Sequence, residues 1–173
     1  MYVEEPSPED LTAFWTRAKV RSKLAEVPGV MGVTDVVSME PPAFSLGDGT
    51  RSCASKLALL AVHGDKTATS SYAPAYDAAN EQYPQVGDLA ILLDGDANPV
   101  ALIRNRQVDL IPFNEISEDV AQAEGEGDLE HWREEHTRVF TEDAHAAGIE
   151  FDETANVVVE YFDVMYRVDT DIA

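Results

Sequence analysis

The stretch Leu89-Ala90-Ile91-Leu92-Leu93-Asp94-Gly95-Asp96-Ala97-Asn98-Pro99-Val100 decides how this chain folds. Leu89 to Leu93 is a short, unbroken apolar run of buried-strand type, entered through the turn Val86-Gly87-Asp88. Asp94-Gly95 and Asn98-Pro99 mark a hairpin turn, and Val100 to Val108 reads as the return strand, followed by Leu110-Ile111-Pro112-Phe113. Strands joined so closely run antiparallel, because a parallel pair needs a long crossover between them.

Upstream, Ser7-Pro8-Glu9-Asp10 places proline and carboxylates where helix starts favour them, and Leu11, Phe14, Trp15 and Ala18 recur at helical spacing. A first helix is expected from about Pro8 to Ala25, ended by Pro28-Gly29, with an irregular connection to about Thr50. Ala54, Leu57, Ala58 and Ala61 form the apolar stripe of a helix over Ser52 to Val62, capped by Gly64, and Tyr76 to Pro84 reads as a loop. Downstream, Ser117 starts a helix through Val120 and Ala121 that Gly125 and Gly127 break. A further helix from Leu129 to Ala146 turns Leu129, Trp132, Val139, Phe140 and Ala144 inward, and Val157 to Val168 closes the chain as a β-rich segment. Helices and hairpins alternate irregularly, so an α+β architecture around a small curled or closed sheet is expected rather than a doubly wound parallel one.

With 173 residues and 45% apolar content, a single domain over the whole chain is expected. The 33 acidic residues against 12 basic ones give a formal charge of -21, which opposes a long nucleic-acid backbone. Only Arg17, Lys19, Arg21 and Lys23 gather positive charge, so any nucleic-acid contact is expected to be small and local. Cys53 is the only cysteine, which rules out an intramolecular disulfide and a thiolate metal cage and suits a reducing cytosol. Neither a secretory start nor a membrane-length apolar run is read, so a cytoplasmic protein is expected.

The chemistry-bearing residues concentrate in His63-Gly64-Asp65-Lys66-Thr67-Ala68-Thr69-Ser70-Ser71-Tyr72. Strand alternation sends Lys66, Ala68 and Ser70 to one face and Thr67, Thr69 and Ser71 to the other; twist or a bulge near the strand end would bring Lys66 and Thr69 into one cleft. A polar edge strand explains the same composition.

The run Gly64-Asp65-Lys66-Thr67-Ala68-Thr69, then Gly87-Asp88 before a buried strand, Ile111-Pro112-Phe113-Asn114-Glu115, and Glu124-Gly125-Glu126-Gly127-Asp128 ahead of Trp132-Arg133 together resemble the ASCH domain. The resemblance spans roughly Trp15 to Tyr166 and implies a PUA-like β-barrel flanked by helices, with a cleft suited to RNA or a nucleoside. Small amidohydrolases of this superfamily act on N4-acylated cytidines through a lysine, a threonine and a glutamate. By motif these match Lys66, Thr69 and Glu124. Longer members resemble single-strand-specific ribonucleases. Here Asp128 runs directly into Leu129-Glu130-His131-Trp132, without the serine-containing insert those proteins carry before the tryptophan.

A threonine hydroxyl needs a base within reach, which a deprotonated lysine supplies only if burial lowers its affinity for the proton; a charged lysine instead stabilises an oxyanion. A surface Lys66–Glu124 ion pair would contribute no more than about 1 kcal/mol. Thr67, Ser70, Tyr72 and Arg104 are the ligand-binding candidates; Tyr72, with Tyr76 and Tyr83, is placed to stack on a base, and Arg104, with Arg106, to meet a phosphate or ribose. His131 and His136 miss the i, i+4 spacing of a metal pair, His136 reads as a satisfied, semi-buried residue, and Cys53 as a small helix residue. Glu124, Glu126 and Asp128 lack a complete cation-loop spacing. With the resemblance, these residues imply nucleoside or short-RNA binding without cofactor or metal, with hydrolysis of an N4-acylated cytidine amide as the expected activity and cleavage of single-stranded RNA, or modified-base recognition without reaction, as the alternatives.

Overall fold

The computed structural model describes residues 1–22, 24, 39–125 and 127–168. In chain order its elements are α1 (Pro8–Arg21), β1 (Ala43–Ser45), α2 (Arg51–His63), β2 (Ala68–Tyr72), α3 (Ala73–Ala79), β3 (Leu89–Leu93), β4 (Pro99–Pro112), a 3-10 turn (Phe113–Glu115), α4 (Glu118–Glu124), α5 (Leu129–Ala146) and β5 (Asn156–Arg167). The strands hydrogen-bond in the order β1-β3-β4-β5-β2, an α+β arrangement with antiparallel pairing at its centre.

The chain divides into two compact units, the first made of Met1–Gly64, Gly87–Arg104 and Asp163–Ala173. Here the expected hairpin forms: β3 pairs antiparallel with β4 from Leu89 opposite Arg104 to Leu93 opposite Pro99, with a bulge at Leu92/Leu93. The turn is built by Asp94, whose carboxylate accepts from the backbone N–H groups of Asp96 and Asn98, each at 2.9 Å. β1 adds in parallel, Phe44 opposite Leu92. Helix α1 starts as its residues predict, with Ser7 accepting from the Asp10 N–H, and packs Phe14, Trp15 and Ala18 on Ile91, Leu93 and Leu102. It ends at Arg21, with Ser22 as its C-cap, short of the expected Ala25. Ala25 and the Pro28-Gly29 stop lie outside the described residues. Helix α2 ends at Gly64 in the left-handed conformation, at φ +90.

The second unit comprises Asp65–Val86 and Asn105–Phe162. β2 pairs antiparallel with β5, Ala68 opposite Tyr161 and Tyr72 opposite Val157. Under this pair lies a core of Tyr72, Phe113, Ile116, Val120, Trp132, Phe140, Val157 and Val159, to which α4 and α5 contribute their apolar stripes. The expected loop at Tyr76 begins as helix α3 instead: Pro74 in its first turn fixes φ for a helical start, the alanines carry it on, and Asn80 ends it in the left-handed conformation. Leu129–Ala146 forms one helix as read from the sequence, capped by Asp128, whose carboxylate accepts from the His131 N–H at 2.9 Å.

Candidate functional site

The segment before β2 is held by its backbone. Thr67 N–H donates to the Ala123 carbonyl at 2.7 Å, and the Thr67 carbonyl accepts from Phe162 N–H at 2.9 Å. Gly125, at φ +68, ends α4 so close to this segment that a Cβ there would lie 2.6 Å from the Asp65 carbonyl oxygen. Strand start and helix end are thereby fixed against each other, which aims Lys66 at Glu124.

Lys66 and Glu124 are each 1% exposed. The Lys66 ammonium donates to Glu124 Oε2 and to the Glu124 backbone carbonyl, both at 3.2 Å. The other carboxylate oxygen, Oε1, accepts from Ser70 Oγ at 2.6 Å and from the Trp132 indole Nε1 at 2.8 Å. His136 Nε2 lies 3.5 Å from Oε2. Its Nδ1 sits 2.9 Å from the Trp132 carbonyl, which only accepts, so Nδ1 carries a hydrogen and Nε2 donates to Glu124 only as imidazolium. The Trp132 and His136 rings stack at 4.0 Å, one helical turn apart on α5.

Burial alone would push the Glu124 carboxyl up. The Lys66 charge, the His136 hydrogen bond and charge, and the Ser70 hydroxyl together outweigh it and hold the group down to about 2. Glu124 is therefore a fixed anion, saturated with donors, and no general base near neutrality. A carboxyl whose affinity for the proton is lower folded than unfolded adds stability that is present above its unfolded pKa, 4.5, and is lost as pH falls through the folded value, about 2. We expect the urea midpoint of Glu124→Gln to depend less steeply on pH between 4.5 and 2 than that of the wild type. Parallel pH profiles would show that the anion is not held in this way.

The other sequence candidates spread over both faces of β2. Ser70 joins Glu124. Thr69 stands directly opposite Glu160 of β5, on the alternate face. Also on that face, Ser71 Oγ lies 3.2 Å from the Tyr76 phenol, and Asn105 Nδ2 donates to Glu160 Oε2 at 2.5 Å. Burial first, then the Glu160 charge among nearby carboxylates, raises the Tyr76 phenol, against the Ser71 hydrogen bond. Thr67 donates its hydroxyl to the Ala123 carbonyl at 3.4 Å. Tyr72 is a core residue: it is 2% exposed, stacks on Phe140, and its phenol oxygen accepts from Asp152 N–H. Tyr83 meets Tyr76 edge to face and donates to Asp77 at the rim of an open groove of about 690 Å³. Arg104 closes the first unit opposite Leu89, and Arg106 lies over the Tyr161 ring at 5.7 Å.

His136 is hydrogen-bonded as read from the sequence but buried rather than semi-buried, and it also touches the carboxylate. Ser70, Trp132 and His136 were not legible as one group. The signal available was the four-residue repeat Trp132, His136, Phe140 on a single helix face. Among the described residues no group of three His, Cys, Asp or Glu is arranged to hold a metal; Glu126 lies outside them. Among the described residues, too, no helix is long and apolar enough to cross a membrane.

The family model described as ASCH domain matches residues 43–166. The chain is similar to the crystal structure of an Enterococcus faecalis V583 protein of family DUF984, at 32% identity and a TM-score of 0.79, over 91% of this chain and 89% of that one. It is also similar to the crystal structure of an ASCH domain from Lactobacillus crispatus JV V101, at 29% identity and a TM-score of 0.78, over 96% of this chain and 100% of that one. No curated protein matches. The motif order around Lys66, the α+β, PUA-like fold and these likenesses agree, and the chain belongs to the ASCH domain family.

Proposed function

We propose that this protein binds a nucleoside or a short single-stranded RNA segment and hydrolyses an amide on the base, an N4-acylated cytidine being the substrate that suits its parts best. ASCH domains are PUA-like and generally bind RNA or nucleosides, which supports the ligand class. The observation that carries the reading is the Lys66–Glu124 pair, 1% exposed on both sides and placed at the entry to the hydroxyl-bearing strand β2. A buried ion pair stabilises a fold no better than apolar packing of the same volume, so its construction from three side-chain donors on one carboxylate, with His136 3.5 Å away, favours a functional use.

The roles follow from the charges. Glu124 stays ionised and so is no base, and we assign Lys66, whose Nζ faces it at 3.2 Å, the role of electrostatic stabiliser of an amide oxyanion. Ser70, whose hydroxyl meets the same carboxylate at 2.6 Å, is the hydroxyl on the Lys66 side of β2 and serves to orient the attacking water or the acyl group, whereas Thr69 lies on the other face. The formal charge of -21 disfavours a long polyanion and leaves a small, neutral nucleoside acceptable.

Release of cytidine from N4-acetylcytidine tests this. Wild type is expected to turn over, and Lys66→Met and Ser70→Ala to lose about 100-fold or more in kcat/KM while a folded circular-dichroism spectrum is kept. Equal activity in all three proteins overturns the assignment. Cleavage of a labelled oligonucleotide by wild type, abolished in Lys66→Met, would replace it with the ribonuclease reading. Tight binding of the nucleoside without turnover would leave a recognition module.

A further inference from the structure

We propose that the far half of β4, with the groove beside it, is a docking site for an extended polypeptide segment that carries lysine or arginine and adds to the sheet as a strand. The groove lies wholly within the second unit and shares no residue with the Lys66–Glu124 centre. It is therefore independent of the nucleoside reading.

Strand β3 begins at Leu89, opposite Arg104, whereas β4 continues to Pro112. From Asn105 onward β4 runs past its β3 neighbour, while β5 lies on its other side. Such an edge presents backbone donors and acceptors with which another chain can pair. Natural edges refuse partners chiefly with lysine or proline, and Gln107-Val108-Asp109-Leu110-Ile111 holds neither. At this edge opens the groove of about 690 Å³, lined by Val108 and Leu110 of β4 and by Asp77, Glu81, Tyr83 and Val86. Val108 and Leu110, two residues apart, share one face of the strand, and Ile111 packs on the core of the unit. Leu110 is 48% exposed and Val86 63%, apolar surface left for a guest side chain to cover.

The charged side chains that line the groove are both carboxylates, and both are exposed. Asp77 accepts the Tyr83 hydroxyl on Oδ1 at 2.7 Å, and its second oxygen remains for a guest. Carboxylates beside aliphatic side chains match a segment that carries cationic and apolar residues together. Backbone pairing along β4 would supply affinity, and these side chains the choice of partner. Nucleic acid is the poorer occupant, because the same carboxylates repel its phosphates. A second copy is poorer too, since it brings a formal charge of -21 against the first.

Fluorescence anisotropy on the full chain tests this with a labelled peptide of alternating valine and lysine, about six residues long, the length of a common strand. Saturable binding with a Kd below about 1 mM is expected. Replacing the peptide's lysines by glutamate, or methylating its alternate backbone nitrogens, is expected to weaken binding about tenfold or more. Glu81→Lys and Leu110→Lys, both at exposed positions, are expected to do the same with unchanged melting temperatures. Equal affinity for the lysine and glutamate peptides, undiminished binding of the methylated one, or no saturation up to about 1 mM overturns the proposal. If single-stranded oligouridylate displaces the peptide, the groove is a nucleic-acid surface and the proposal falls. It falls likewise if sedimentation shows a dimer that Leu110→Lys dissociates, because the occupant is then a second copy.

Discussion

Glu124→Ala is expected to lose about 3–5 kcal/mol of unfolding free energy. The substitution strands the Lys66 ammonium, itself 1% exposed, without the carboxylate it faces at 3.2 Å. It also removes the acceptor of the Trp132 indole and of Ser70, and a buried donor left unmade costs about 1–3 kcal/mol. The two losses overlap, because the side chain relaxes and water enters, so the larger of them sets the scale. The double variant Lys66→Met/Glu124→Leu is expected to be more stable than Glu124→Ala, since no charge remains buried. Urea unfolding followed by circular dichroism measures both. A loss below about 1 kcal/mol in Glu124→Ala would mean the pair behaves as a solvated surface bridge, which its burial excludes.

The second large effect is expected at Gly125. Gly125→Ala places a Cβ 2.6 Å from the Asp65 carbonyl oxygen, a backbone atom that moves only if the whole segment before β2 moves. It also puts a side chain at φ +68, in the left-handed region. Left-handed strain of about 1–2 kcal/mol and overpacking of about 1–3 kcal/mol give an expected loss of about 3 kcal/mol. Gly64 is the matched control: its φ is +90, but a Cβ there meets nothing within 4 Å, so Gly64→Ala should cost only the strain, about 1 kcal/mol. The same shift separates Asp65 from α4, so Gly125→Ala also loosens the Lys66–Glu124 contact and should depress the proposed turnover in proteins that remain folded. Equal destabilisation at the two glycines would show that close approach at Gly125 contributes nothing.

Much of the fold was legible from local pattern. The Leu89 run, the Asp94-Gly95 turn, the helix from Leu129 to Ala146 and the Gly64 and Gly125 stops depend on periodicity and turn chemistry, which neighbouring residues set. Helix α3 escaped that reading. It is one short element whose polar and aromatic residues mask its spacing, and it is held by its Pro74 start and by contact with the rest of its unit. Lys66 and Glu124 were legible as candidates through motif order, and the structure brings them together across 58 residues of chain. Thr69 was expected to share a cleft with Lys66. Instead the hydroxyl that joins the pair is Ser70, because the strict alternation of a strand sends one of two adjacent residues to each face.

The chain's own residues determined its elements, its acidic surface and the identity of its candidate site groups, since propensity, charge and residue chemistry are local properties. Tertiary structure alone decided which donors surround Glu124 and which carboxylate stands beside Thr69. Trp132 and His136 reach Glu124 from α5, and Glu160 reaches Thr69 from β5, through packing of elements far apart in sequence. No spacing rule records those meetings. They exist because burying the apolar stripes of α4 and α5 under the β2–β5 pair leaves each polar side chain in that core only a few partners within reach.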